Sequence, residues 1–170
     1  AKDSVRNHLR AVGREDDWTE LQGLVYGARM PGVPPYPGVA DFFRKAVAGG
    51  AEIFIVSHKT STPYRGAPHD LHAAARDWLA AQGFFGEVGL SETRVFFELT
   101  KEEKLARIGA LGCGGFIDDL PEFLTEPAFP NGVERILFDP LKVARENPAY
   151  RRMHSWDEIA RALIAAETPR

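Results

Sequence analysis

Four short apolar runs, separated by stretches of helical length, constrain this chain more than any other feature. They are Glu52–Val56, Arg94–Glu98, Gly115–Asp118 and Val133–Phe138. The first is nearly continuous in hydrophobicity, as expected of a strand covered on both faces. Strands alternating with helices of this length predict an α/β fold with a mostly parallel sheet. In such sheets, ligands bind beyond the carboxyl ends of the strands.

Local signals place the helices. Val5, Leu9 and Val12 recur at helical spacing, with Gly13 as a stop, and Asp16 or Asp17 is positioned to cap a second helix through Trp18, Leu21 and Val25. The run Pro31–Gly38 holds four prolines, too many for a regular element, and marks the one candidate boundary inside the chain. Residues 1–34 then form a small helical region and residues 35–170 the α/β core. Val39–Val47 reads as a helix ended by Gly49-Gly50, and Asp70 caps another that reaches Gln82. Thr100 with Glu103, and Ser155 with Glu158, are capping-box pairs that start two more.

Composition narrows the function classes. The formal net charge is −3 with no basic run, which gives no footprint for nucleic acid or an anionic membrane. No apolar stretch approaches the roughly 20 residues that a membrane span needs. The single cysteine, Cys113, forms no internal disulfide, which fits a reducing cytoplasm.

The strand ends collect a coherent set of groups. Ser57, followed by His58 and Lys59, stands at the end of the first strand. Lys101 and Lys104 occupy the first turns of the helix after the second, and Asp118-Asp119 close the third. Adjacent carboxylates repel and oppose each other's ionisation, so the pair calls for a cation. Two carboxylates and water suit Mg²⁺; a hydroxyl and a lysine suit the oxygens of a phosphoryl group. Removing one of two repelling acids is accordingly expected to cost little stability.

The order of Ser57 after "IFIV", Lys104 near a helix start and then "FIDD" resembles motifs two, three and four of the haloacid dehalogenase superfamily. The segment Pro35–Val39 resembles the point where such enzymes return from a cap to their core. The likeness covers residues 35 to about 140. It implies a Rossmann-like core with a partial helical cap, and a Mg²⁺-dependent phosphohydrolase acting on a small phosphorylated metabolite through a phospho-aspartyl intermediate. By this resemblance, Ser57 hydrogen-bonds phosphoryl oxygens, Lys104 holds nucleophile and phosphate together, Asp118 and Asp119 hold Mg²⁺, and His58 and Lys59 face the substrate. Lys104 is preferred to Lys101 for its separation from the acid pair.

The family's first motif, an apolar strand ending in Asp-x-Asp, does not occur in residues 1–50. That strand lies at the centre of the family's sheet, so its absence predicts a gap between the first and third strands. The expectation is a C-terminal part of a longer protein, lacking its nucleophile and inactive alone. The competing expectation is a non-catalytic module that binds a phosphorylated ligand or a protein partner. Blander roles also stand: the acid pair as a cap for the turn at Pro121–Leu124, Ser57 and Asp139 as turn residues, and Cys113 as buried filler. His58, His69 and His72 invite a zinc reading, but no second cysteine or HExxH pattern accompanies them.

Overall fold

A computed structural model describes residues 2–26, 29–63 and 69–164. Tyr64 and Arg65 lie outside the described residues. The chain divides into two units: residues 1–34 with 59–83, and residues 35–58 with 84–170.

The first unit is helical. Helix α1 (Lys2–Ala11) and helix α2 (Glu15–Tyr26) are joined through Gly13, whose φ of 71° lies in the left-handed region that glycine tolerates. Asp16 and Asp17 sit inside the first turn of α2 rather than capping it, because the helix already starts at Glu15. There their charges still favour the positive end of the helix dipole. Trp18 is buried on the core side of α2. The proline-rich run is not wholly irregular: Met30–Gly32 forms one 3-10 turn with Pro31 at its start, where a missing N–H costs nothing. Helix α4 (Leu71–Ala81) completes the unit, burying Leu71, Ala75 and Leu79. Asp70 caps it by accepting from the Ala73 N–H at 2.8 Å. The Trp78 indole N–H donates to the Val33 carbonyl at 2.7 Å, which ties α4 to the end of the proline-rich run.

Among the described residues, the strands all lie in the second unit. Helix α3 (Val39–Ala48) buries Phe42, Phe43 and Ala46. Strand β1 (Ile55–His58) pairs in parallel with β2 (Val95–Glu98), in the register Ile55 to Val95 and His58 to Glu98. Strand β3 (Gly115–Asp118) pairs in parallel with β4 (Glu134–Phe138), and β4 with β5 (Arg151–Met153). The expected single sheet is therefore two small parallel sheets, β1-β2 and β3-β4-β5. The reason lies in the pairing: among the described residues, neither β1 nor β3 has a second strand partner.

Two boundaries also move. The first strand runs from 55 to 58 rather than 52 to 56, because pairing begins only where Ile55 meets Val95. Ser57 and His58 are thus strand residues. Strand β5 carries no sequence signal; it is three residues long and reads Arg-Arg-Met.

Helix α5 (Lys101–Ala110) opens with the full capping box. The Thr100 hydroxyl accepts from Glu103 N–H, and the Glu103 carboxylate accepts from the Thr100 N–H. At helix α7 (Trp156–Leu163) the pattern is displaced by one residue: Ser155 accepts from Glu158 N–H, but the Glu158 carboxylate accepts from the His154 N–H. One core cluster contains Val56 of β1, Leu105 and Ile108 of α5, Phe123, Leu124, Phe129 and Leu137 of β4. A second aromatic row runs from Tyr36 through Phe138 and Trp156 to Phe42. It requires Gly38, because a Cβ there would lie 3.2 Å from the Trp156 Cβ.

Candidate active site

The site is assembled within the second unit, where α5 and β3 present a buried ion pair. Lys104 lies on the first turn of α5, held in place by the Thr100–Glu103 cap. Its ammonium donates to Asp118 Oδ2 at 2.6 Å. The two side chains are only 6% and 9% exposed. Asp118 Oδ1 accepts the Leu120 N–H at 3.0 Å, so each oxygen of this carboxylate has a donor. That second bond is the turn-forming role expected of an aspartate beside a helical start, although helix α6 (Pro121–Leu124) has Leu120 at its cap.

Aromatic rings complete the ammonium's surroundings. It stands 3.8 Å from the centre of the Phe123 ring and 5.2 Å from that of Phe116. Ring faces carry negative potential, which partly replaces the water that a buried lysine loses. Lys101 forms a salt bridge with Glu126 instead.

The end of β1 reaches the same cluster. The His58 ring stacks on Phe123, with centroids 6.2 Å apart and planes 20° from parallel. Burial pushes the His58 pKa below its usual value, and the nearby Lys104 charge lowers it further, while Asp118 opposes the shift. His58 is accordingly held toward its neutral form. Ser57 precedes it, and strand alternation puts its side chain on the face opposite Val56 and His58. Asp119 is exposed immediately after β3.

Lys59 belongs to the first unit. Its ammonium lies 4.8 Å from the Tyr26 ring centre, and burial lowers its pKa. Its carbonyl contacts His72 Nε2 at 2.7 Å. Among the described residues, no group of three or more His, Cys, Asp and Glu side chains is gathered as a protein-only metal cage requires. That leaves the zinc reading of His58, His69 and His72 without a ligand set. At the end of β3, Asp118 has both carboxylate oxygens bonded, to Lys104 and to the Leu120 N–H, and Asp119 is exposed beside it.

Asp139 resolves as an anchor. It is 5% exposed, and its two oxygens accept the Val143 and Ala144 N–H groups at 3.1 and 3.0 Å. Arg152 donates to the Ala144 carbonyl from the other side. Cys113 is half-buried, and burial raises its thiol pKa, which opposes a nucleophilic role.

What sequence reasoning missed is Phe123, the ring shared by Lys104 and His58. Its signal is weak: one aromatic in the turn after an acidic pair. An open hollow of about 300 Å³ lined by Lys45, Asp157, Ala160, Arg161 and Ile164 shares no residue with this cluster. The site is therefore defined by donor geometry, not by concavity. Comparison with protein-family models, curated proteins and solved structures finds no match to this chain.

Proposed function

We propose that this chain is the α/β core and part of the helical cap of a Mg²⁺-dependent phosphohydrolase of the haloacid dehalogenase type, acting on a small phosphorylated metabolite. The observation that carries the reading is the buried Lys104–Asp118 pair at the carboxyl end of β3, with the end of β1 brought to it through Phe123. A lysine and an acidic strand end meet, and the strand that carries Ser57 reaches them through His58, in the chain order that the family resemblance implies.

In this reading Lys104 and the Ser57 hydroxyl bind phosphoryl oxygens, and neutral His58 donates or accepts a hydrogen bond at the substrate without adding charge. Asp118 and Asp119 hold Mg²⁺, which when bound offsets charge on the phosphoryl group. The low exposure of Lys104 limits water around the ammonium and strengthens its attraction for an anion. The nucleophile is an aspartate on a strand lying between β1 and β3. No aspartate of the 170 residues stands two positions from another, so the Asp-x-Asp strand has to be supplied by further polypeptide. The single cysteine keeps the reading compatible with a reducing cytoplasm.

The same absence of an Asp-x-Asp pair favours a second reading, a non-catalytic module that binds a phosphorylated ligand or a protein partner. The two are separated by assaying p-nitrophenyl phosphate with Mg²⁺, using the chain alone and the chain fused at its N-terminus to an apolar strand ending in Asp-x-Asp. Turnover by the fusion and none by the chain alone supports the hydrolase. Inactivity of both, with calorimetric binding of orthophosphate by the chain, supports the module.

A further inference from the structure

We propose that the hollow between α3 and α7 binds an acidic α-amino acid, a ligand with two carboxylates and one ammonium. This site is separate from the Lys104–Asp118 cluster and does not depend on the hydrolase reading.

The hollow is lined by Lys45, from the last turn of α3, and by Asp157, Ala160, Arg161 and Ile164, from α7 and its C-cap. The α7 residues recur at spacings of three and four, so they share one face of that helix. Asp157 stands beside the start of α3, where a Cβ on Gly38 would lie 3.3 Å from its Oδ1. Lys45 follows about two turns along α3, and Arg161 about one turn along α7. The acid and the two cations are thus spread along the hollow rather than gathered at one point.

These charges do not neutralise one another. Asp157 and Arg161 stand four residues apart with the acid first, the favourable order for pairing along a helix. Yet among the described residues, none of the Lys45, Asp157 and Arg161 side chains makes a hydrogen bond or an ion pair. On the outer face of α3, by contrast, Asp41 and Arg44 close on each other. Two cations and one acid are the complement of two carboxylates and one ammonium. Arg161 offers a planar fork to one carboxylate, Lys45 a point charge to the other, and Asp157 accepts from the ammonium. Ala160 and Ile164 are half-buried and give the ligand's methylenes an apolar floor. The volume of about 300 Å³ is at the low end for small-molecule clefts, which suits a single amino acid. One exposed ion pair contributes little. Selectivity comes from matching all three charges, since a ligand that lacks one leaves a protein charge without its counterpart.

The test follows the backbone amide resonances of Ala160 and Ile164 in the 170-residue chain during titration with L-glutamate, glutarate or L-glutamine. L-Glutamate should bind at least about fivefold more tightly than glutarate, which lacks the ammonium, or L-glutamine, which lacks the second carboxylate. Arg161→Gln should weaken L-glutamate binding by at least about fivefold, and Asp157→Asn should abolish the advantage over glutarate. Both residues are exposed, so the variants keep the fold, and amide resonances of β3 and β4 check this. Four results each overturn the proposal: no saturable shift with L-glutamate, equal affinity for glutarate or L-glutamine, L-glutamate binding unchanged in Arg161→Gln, or the advantage over glutarate retained in Asp157→Asn.

Discussion

The ammonium of Lys104 rests on the face of Phe123, 3.8 Å from the ring centre, and the His58 ring stacks on that same phenylalanine. One side chain from a four-residue helix therefore joins the outputs of α5 and β1. Phe123 is 2% exposed and belongs to the core cluster, so Phe123→Ala removes packing and a cation–π partner together. The expected loss is about 3–5 kcal/mol of unfolding free energy, the range for a buried phenylalanine truncated to alanine. Urea denaturation monitored by circular dichroism measures it.

Asp118→Asn should destabilise the chain by about 3 kcal/mol, near the low end for breaking a buried pair, because the asparagine oxygen can still accept from Leu120 N–H. This replaces the expectation from the acidic doublet alone, that one of two repelling carboxylates is dispensable. The structure shows Asp118 neutralising Lys104, and removing it leaves an ammonium buried without a counter-charge. Adding Lys104→Met to Asp118→Asn should recover at least half of that loss. A double-mutant cycle in urea reads the coupling directly.

His58 sets a pH dependence with a definite sign. Its pKa in the fold lies below the unfolded value of about 6.5, so between the two values the unfolded chain binds more protons. The His58 contribution is therefore intact above about pH 6.5 and is lost as pH falls below it. Melting temperatures of the parent should drop more steeply than those of His58→Gln as pH is lowered from 7 toward the folded-state pKa. Parallel curves would refute the assignment.

Asp139→Ala should cost about 2–3 kcal/mol, since two backbone N–H groups lose a charged acceptor and Arg152 loses a neighbouring carboxylate. The effect should concentrate in residues 140–150. Limited proteolysis should cut this segment in Asp139→Ala before it cuts the parent.

How much of this was legible depended on whether the cause was local. Thr100 with Glu103 specified the start of α5, and so the position of Lys104, because a capping box is satisfied within four residues. The apolar run Gly115–Asp118 matched β3 because glycines precede it and Leu-Pro follows. The first strand was misplaced because Ile53 and Phe54 have the same apolar character as Ile55–Val56, and only the partner strand decides where pairing begins. Strand β5 was invisible: its place is set by pairing with β4, where Arg151 also meets Glu134, and Arg-Arg-Met has no strand pattern of its own. The grouping of residues 59–83 with the first unit was equally illegible, because it is set by α4 packing beside α2 and the proline-rich run. That Lys104 and Asp118 lie at one site was expected only through the family resemblance, and their direct pairing was not; the ring beneath them had no signal either, since nothing in Pro-Glu-Phe-Leu announces a partner for an ammonium.

The two small sheets differ in how much chain must be closed to form them. Strands β3 and β4 are joined through residues 119–133, whereas β1 and β2 meet across residues 59–94, a longer excursion whose closure entropy is larger by about 0.6 kcal/mol per doubling of length. The β1-β2 sheet also has two strands rather than three to share the opening cost. Its amides should consequently exchange with solvent through smaller openings than those of Ile136 and Leu137 on β4. Ser57 and His58 lie on the side that opens first, while Asp118 lies on the side that persists. The hydroxyl-bearing half of the candidate site is thus assembled late and released early, around an acidic half that stays in place.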